Sequence, residues 1–125
     1  MGRSFGPRMS PTARSLVELR RRGYTASVVE QTIRARRPGG RPLVFKRDCF
    51  GGDILAVKAD ELGALLVQAC RTSDQADRLA KLRQTAAAGI WLAAGNRLVV
   101  WGWALRGPRG ARKTWSLSET QVRAE

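Results

Sequence analysis

Two short segments of almost continuously apolar residues, 53–57 and 64–70, constrain the fold of this chain most strongly. They are separated by the polar stretch 58–63, which has the composition of a turn. Because neither segment alternates between apolar and polar residues, each is predicted to be a strand that is covered on both faces. The core is therefore predicted to be a sheet with other elements packed against it.

Helix signals flank these two strands. Ser10 is predicted to cap a helix that begins at Pro11 and ends at Gly23. A second helix is predicted over 73–89, since acidic residues occupy its first turn and cations follow, as the helix dipole favours. Residues 90–93 are interpreted as a short strand or a turn.

Strand signals occupy most of the remaining chain. β-Branched residues predict a first strand over 24–33, and a second is predicted over 43–46, with the arginine-rich loop 34–41 between them. After the second helix, a strand is predicted over 97–105 and an edge strand over 115–117.

The length of 125 residues favours one domain, since it leaves no room for two independent cores. The prediction is an α/β domain over 11–117 with a small mixed β-sheet flanked by helices. A flexible basic arm is predicted over 1–10 and a C-terminal tail over 118–125.

Charge indicates the partner. Lys and Arg total 23 against 10 Asp and Glu, for a net charge of +13. Such a field attracts polyanions, of which nucleic acid is the commonest. Nineteen of the cations are arginine, which binds phosphates and stacks on bases. A coding bias towards arginine in a GC-rich genome is the alternative explanation.

Composition also excludes several chemistries and compartments. Without histidine there is no catalytic triad and no HExxH zinc site, and two cysteines cannot supply four zinc ligands. A metal would bind oxygen atoms, which favours Mg²⁺ or Mn²⁺. The absence of a secretory signal or a long apolar run predicts a cytoplasmic protein with no membrane partner. Cys49 and Cys70 are therefore expected to be free thiols.

Polar residues inside the apolar segments are the first candidate site. Asp53 opens one predicted strand and Gln68 interrupts the other. A buried carboxylate or amide is costly unless it is paired, hydrogen-bonded or bound to a metal. If the two strands are neighbours, these side chains meet at one end of the sheet, near Glu30 and Asp48. Asp48 could instead be a turn residue, and Gln68 could bond internally to the backbone.

The stretch Asp-Cys-Phe-Gly-Gly-Asp at 48–53 and the triplet Gln-Ala-Cys at 68–70 resemble the PD-(D/E)XK nuclease superfamily. Within it they are most similar to small resolvase-like proteins of phages and prophages. That superfamily has an acid on or near its first helix, here Glu30, then an Asp that opens a core strand. A (D/E)-x-K motif follows on the next strand, before a helix. The resemblance covers about residues 13–103 and implies a restriction-endonuclease-like core.

The resemblance implies a metal site. Asp53 and the amide oxygen of Gln68, together with Glu30 or Asp48, are expected to bind Mg²⁺ or Mn²⁺. The ion would lower the pKa of a water molecule and neutralise charge on the phosphate. The choice between Glu30 and Asp48 is open at this point.

The chain departs from the motif at three positions. Gly52 replaces a proline, Gln68 replaces the second acid, and Cys70 replaces the lysine. A thiol supplies no fixed cation, but some members of the superfamily carry this lysine on a nearby helix, which makes Lys81 the candidate. The expected catalytic residues are therefore Asp53, Gln68 and Lys81.

The resulting hypothesis is a Mg²⁺-dependent endonuclease acting on DNA, with a Holliday junction as a candidate substrate and a homodimer as a candidate assembly. RNA remains an alternative substrate. Competing hypotheses are a catalytically inactive nucleic-acid-binding protein of the same fold and a structural or assembly protein of a phage. Trp101 and Trp103 either pack a helix onto the sheet or stack on bases. The expected nucleic-acid-binding residues are Arg34, Arg36, Arg37, Arg41, Lys46, Arg47 and Arg78.

Overall fold

A computed structural model describes residues 9–35 and 38–124, without the side chains of Phe45 and Lys46. Most of the predicted basic arm, residues 1–8, lies outside the described residues. In the described part of the chain, no helix has the length and apolar character that a membrane crossing requires.

The chain forms three helices and seven strands in the described residues. In order they are α1 (Pro11–Arg21), β1 (Thr25–Val28), β2 (Gln31–Ala35), β3 (Leu43–Arg47), β4 (Ile54–Val57), β5 (Leu65–Arg71), a 3₁₀ turn (Thr72–Asp74), α2 (Gln75–Arg83), α3 (Ala86–Ala93), β6 (Arg97–Arg106) and β7 (Thr114–Val122).

Five strands form one mixed sheet in the order β1-β4-β5-β6-β7. β1, β4 and β5 are antiparallel neighbours, β5 and β6 are parallel, and β7 is antiparallel to β6. The parallel pair requires a crossover, which α2 and α3 provide. The predicted α/β class and small mixed sheet are confirmed.

α1 begins and ends where its sequence signals predict. The Ser10 side chain accepts a hydrogen bond from the Ala13 N–H at 3.1 Å, and Pro11 is the first helical residue. The chain leaves the helix through Gly23, whose φ of +94° favours glycine.

β5 is covered on both faces, as its continuous apolar run predicts. All of its residues except Arg71 are buried. Leu65 and Val67 belong to a core cluster that also contains Leu19 of α1, whereas Leu66 on the other face packs in a cluster with Leu82 of α2. Because both faces are covered, a polar side chain on β5 requires a specific partner.

The predicted first strand, 24–33, is wrong as one element. β1 pairs with β4, while β2 pairs with β3 in a separate two-stranded sheet. The break occurs at Val29 and Glu30, whose N–H groups both donate to the Asp53 carbonyl, at 2.8 and 3.3 Å. The loop predicted over 34–41 therefore starts too early, because residues 34 and 35 belong to β2.

The predicted helix 73–89 is also two elements. α2 ends at Arg83, where the Thr85 hydroxyl donates to the Lys81 carbonyl at 2.8 Å. α3 follows and continues through Gly89, so the strand or turn predicted over 90–93 is helical. The Trp91 indole N–H donates to the Arg97 carbonyl at 2.7 Å and ties α3 to the start of β6.

The last strand is longer than predicted. β7 pairs with β6 at nine consecutive positions, so residues 118–122 belong to the sheet and not to a tail. The polar side chains of this stretch, which conceal the strand in the sequence, lie along an edge where one side of the strand meets solvent.

Candidate functional site

The register of β4 and β5 brings Asp53 and Gln68 together. Ile54 lies opposite Val67, so the preceding residue, Asp53, lies opposite Gln68. Both side chains are buried, with exposed fractions of 5% and 6%. The Asp53 carboxylate accepts the Ala69 N–H through Oδ2 at 2.9 Å. The predicted meeting of these two residues at one end of the sheet is confirmed.

A cleft of about 740 Å³ opens at this end of the sheet. Four of the ten acidic residues of this strongly basic chain line it. An acidic cleft in a basic protein is suited to a cation beside a polyanion. Its walls are formed by Ser10, Pro11, Thr12, Val28, Glu30, Thr32, Asp48, Asp53, Gln68, Ala69, Cys70, Arg71, Asp74 and Arg78.

The carboxyl groups of Asp53 and Glu30 interact directly in the cleft. The pKa of Asp53 is raised to about 7, chiefly because its carboxyl group is buried. The Ala69 N–H and the charge of Arg78 oppose this shift, whereas a hydrogen bond with Glu30 and the charge of Glu30 add to it. Two carboxyl groups this close retain a proton between them or bind a cation.

The pair answers the question of which second acid meets Asp53. Glu30 bonds to the carboxyl group of Asp53, whereas Asp48 lies at the exposed rim of the same cleft. Asp48 follows β3 and precedes the turn 49–52, so its interpretation as a turn residue also agrees with its position.

Gln68 carries an unsatisfied acceptor. Its Oε1 atom is buried and has no hydrogen-bond partner among the described residues. An unpaired buried acceptor costs about 1–3 kcal/mol. The internal hydrogen bond that would explain Gln68 structurally is therefore not present at this oxygen. A donor or a cation beside Oε1 would remove the cost.

The donor set fits a hard cation. No group of three or more acidic or sulfur-bearing side chains in residues 9–35 and 38–124 is placed to hold a metal ion. The site instead offers two carboxyl groups, from Asp53 and Glu30, and one amide oxygen, from Gln68. Oxygen donors of this kind, with waters completing the coordination, suit Mg²⁺ or Mn²⁺.

Arg78 is the cation of α2 that lines the cleft, and Lys81 lies outside it. Both residues belong to α2, but Arg78 lines the cleft, while Lys81 is exposed one turn further along. The charge of Arg78 acts on both Asp53 and Cys70. The expected placement of Lys81 in the site is therefore corrected: positions three apart share a side of a helix, but they differ along its axis.

Cys70, at the position of the motif lysine, is a buried thiol. Its exposed fraction is 4%, and burial raises its pKa, so the neutral thiol is the stable form. Cys49 is partly exposed, and both cysteines are free, as expected. The charge missing at Cys70 is supplied in the cleft by Arg78.

A tight turn fixes the spacing between Asp48 and Asp53. The backbone groups of Cys49 and Gly52 exchange hydrogen bonds of 2.8 and 3.0 Å. A Cβ atom on Gly52 would lie 2.2 Å from the Leu66 side chain, and one on Gly51 would lie 2.4 Å from Leu82. Glycine thus allows the turn to pack onto β5 and α2, whereas a proline at position 52 would clash with Leu66 and lose the hydrogen bond of the Gly52 N–H to the Cys49 carbonyl.

Three of the expected nucleic-acid-binding residues belong to the β2–β3 hairpin, the base of which borders the cleft. Arg34, Arg41 and Arg47 are exposed on or beside β2 and β3. Lys46 pairs with Thr32, which lines the cleft, but its side chain is outside the description. Arg36 and Arg37 also lie outside the described residues.

Trp101 and Trp103 are packing residues. Their exposed fractions are 1% and 7%, and both belong to the core cluster beneath α1. The Trp103 indole donates to the Ser15 hydroxyl at 2.8 Å. Base stacking by these two side chains is excluded by their burial.

Sequence reasoning did not assign five further polar residues of the cleft to the site: Ser10, Thr12, Thr32, Arg71 and Asp74. The position of Arg71 directly after the motif triplet was the available signal.

Comparison of the chain with protein-family models, curated proteins and solved structures gives no match.

Proposed function

We propose that this protein is a Mg²⁺-dependent endonuclease of PD-(D/E)XK type that hydrolyses phosphodiester bonds in DNA. The observation that carries the proposal is the convergence, in one cleft, of the buried Asp53 carboxyl group with that of Glu30, an unsatisfied amide oxygen and an arginine. Mn²⁺ would serve in place of Mg²⁺.

The order of elements supports the same proposal. Asp53 directly precedes β4, the triplet 68–70 lies on β5, and helical structure follows at Thr72. This is the order that the resemblance to the PD-(D/E)XK superfamily implies. Glu30 lies between β1 and β2, not on the first helix, yet it reaches the same carboxyl group.

Asp53, Glu30 and Gln68 would hold the metal. A bound Mg²⁺ would lower the pKa of a water molecule and neutralise charge on the attacked phosphate. The Ala69 N–H holds Oδ2 of Asp53 at 2.9 Å and fixes the orientation of the carboxylate. A bound cation would displace the proton that burial favours on Asp53 and would leave its carboxylate in the form that binds cations.

Arg78 would bind the phosphate. Its guanidinium is the cation of α2 that lines the cleft with Asp53 and Glu30, and two N–H groups of arginine match two phosphate oxygens. Negative charge that develops on those oxygens during hydrolysis is stabilised by a donor already in place. Arg71, on the same wall, would bind a neighbouring phosphate.

The test is cleavage of labelled duplex, single-stranded and four-way-junction DNA with Mg²⁺ or Mn²⁺, comparing wild type with Asp53→Asn. We expect metal-dependent cutting by wild type and none by the variant. The variant should bind DNA as tightly as wild type or more tightly, since a negative charge near the phosphate is removed.

Two results would contradict the proposal in different ways. Tight binding without cutting under either metal would indicate the catalytically inactive nucleic-acid-binding protein. The absence of both binding and cutting would favour a structural or assembly role with a protein partner.

A further inference from the structure

The β2–β3 hairpin, described over residues 31–35 and 38–47, forms a basic ribbon outside the main sheet. Its two strands pair with each other over five positions, from Gln31–Arg47 to Ala35–Leu43. No residue of the ribbon belongs to either core cluster of the described residues. The sequence 31–47 contains six cations and no acid. A ribbon of this kind contributes charge and little to the core.

Exposed arginines belong to both faces of the basic ribbon. Side chains alternate along a strand, so Arg34 shares a face with Thr32, and Arg47 shares the opposite face with Gln31. Both arginines are exposed, and Arg41 is exposed nearer the tip. A ribbon that lay flat on one DNA strand would need cations on one face only. A ribbon inside a groove has a phosphate backbone on each side, so cations on both of its faces can contact phosphates.

The dimensions agree with insertion into a groove. A two-stranded ribbon with its side chains is about 10 Å thick, and the major groove of B-form DNA is about 12 Å wide. Five paired residues extend about 17 Å, which exceeds the groove depth of about 8.5 Å. The base of the ribbon would therefore remain at the groove edge, where the phosphates lie.

The base of the basic ribbon is also the rim of the cleft. Glu30 precedes β2, Asp48 follows β3, and both line the cleft together with Thr32. A phosphate at the edge of the groove would thus lie beside the carboxyl pair while the tip of the ribbon occupies the groove.

We propose that the basic ribbon inserts into the major groove of double-stranded DNA and thereby presents a backbone phosphate to the cleft. This inference rests on the proposed function and adds the form of the substrate. Exposed Val44, on the Arg34 face, can contact thymine methyl groups in that groove. A-form RNA is excluded as the preferred partner because its major groove is deep and too narrow for a ribbon.

The experiment measures binding by fluorescence anisotropy in EDTA, where no cleavage interferes. Probes are a DNA duplex, the same duplex with guanines methylated at N7, single-stranded DNA and an RNA duplex. The test variant is Arg34→Ala/Arg41→Ala. The control variant, Arg83→Ala/Arg106→Ala, removes two exposed arginines from α2 and β6 and so loses the same charge.

We expect the DNA duplex to bind best, and N7 methylation, which alters the major groove, to weaken binding. The test variant should lose about tenfold in affinity and lower the salt slope by about 2, one for each arginine. Equal loss in the control variant, insensitivity to N7 methylation, or preferred binding of single strands or RNA would overturn the proposal. Since metal is absent, these outcomes are independent of whether the protein cleaves DNA.

Discussion

Two buried glutamines of this chain differ in what surrounds their amides. Gln75 donates from Nε2 to the carbonyls of Val100 and Ser118, at 3.1 and 2.8 Å. Gln68 has an unpaired Oε1 in the cleft. The amide of Gln75 therefore stabilises the fold, whereas the oxygen of Gln68 has no partner among the described residues and gains one only from outside them.

Gln68→Met should accordingly increase the free energy of unfolding in EDTA by about 1 kcal/mol, because the unpaired acceptor is removed at similar volume. It should also abolish cleavage and the stabilisation by Mg²⁺. Gln75→Met is the matched control and should lower stability, since two carbonyls lose their donor. Urea unfolding with and without Mg²⁺ measures both effects. A destabilised Gln68→Met protein would contradict the interpretation of Oε1.

The raised pKa of Asp53 predicts that the stability of the protein depends on pH. The folded state retains a proton on this carboxyl up to about pH 7, whereas the unfolded chain releases it near the ordinary value of 3.8. The folded state therefore binds more protons between these values, and stability in EDTA should fall as the pH rises from about 4 to 7.

Asp53→Asn should flatten this dependence, as urea unfolding at pH 5 and pH 8 would show. Glu18 contributes little at these pH values, because its pKa is lowered to about 2 in the folded state, chiefly by its hydrogen bond with Arg21, and its ordinary value of 4.5 lies below pH 5. The same slope in wild type and Asp53→Asn would show that Asp53 is not the group that titrates.

At the scale of the element, α2 separates two cations by position. Arg78 lies near the amino end and lines the cleft, whereas Lys81 lies one turn later and is exposed. Arg78→Ala should reduce the rate of DNA cleavage about 100-fold, as loss of a donor to a charged transition state does. Lys81→Ala should change that rate by no more than about twofold, as for a surface residue. Single-turnover kinetics would detect the difference, and equal losses would contradict the assignment.

Elements with continuous apolar patterns were predictable from the sequence, and those with interrupted patterns were not. β5 follows from an almost continuous apolar run. α1 follows from the start signal Ser10-Pro11. The division of 24–33 was hidden because Val28 and Val29 have equal strand propensity, and only pairing with different partners separates β1 from β2. The break at Thr85 did leave a weak sign, because threonine is a poorer helix former than alanine or leucine and is favoured as the cap of a new helix, which is its position before α3.

The candidate site was predictable only in part: its two strand residues were, and the partners that reach them from other elements were not. Asp53 and Gln68 stand out because a polar residue in an apolar strand needs a partner, and the turn 58–63 makes their strands neighbours. The choice of Glu30 over Asp48, and of Arg78 over Lys81, depends on where side chains end in space. Sequence spacing does not contain that information.

At the scale of the whole molecule, the domain and the basic ribbon are separable. The described core clusters lie on the two faces of the five-stranded sheet and include no residue of 31–47. Replacing residues 33–45 by Gly-Gly should therefore leave the melting temperature within a few degrees of wild type, while duplex binding is lost. Circular dichroism and anisotropy would test the two statements separately. Unfolding of the shortened chain would show that the ribbon supports the core.

The connection between β1 and β4 also affects how the chain folds. Val28 pairs with Ile54 across 25 intervening residues, 29–53. A local hairpin forms within microseconds, and once β2 and β3 are paired only 29–30 and 48–53 remain flexible in that connection. The entropic cost of closing the loop then falls by about 1 kcal/mol. The segment proposed to enter DNA would thus also bring β1 to β4 and speed the completion of the sheet.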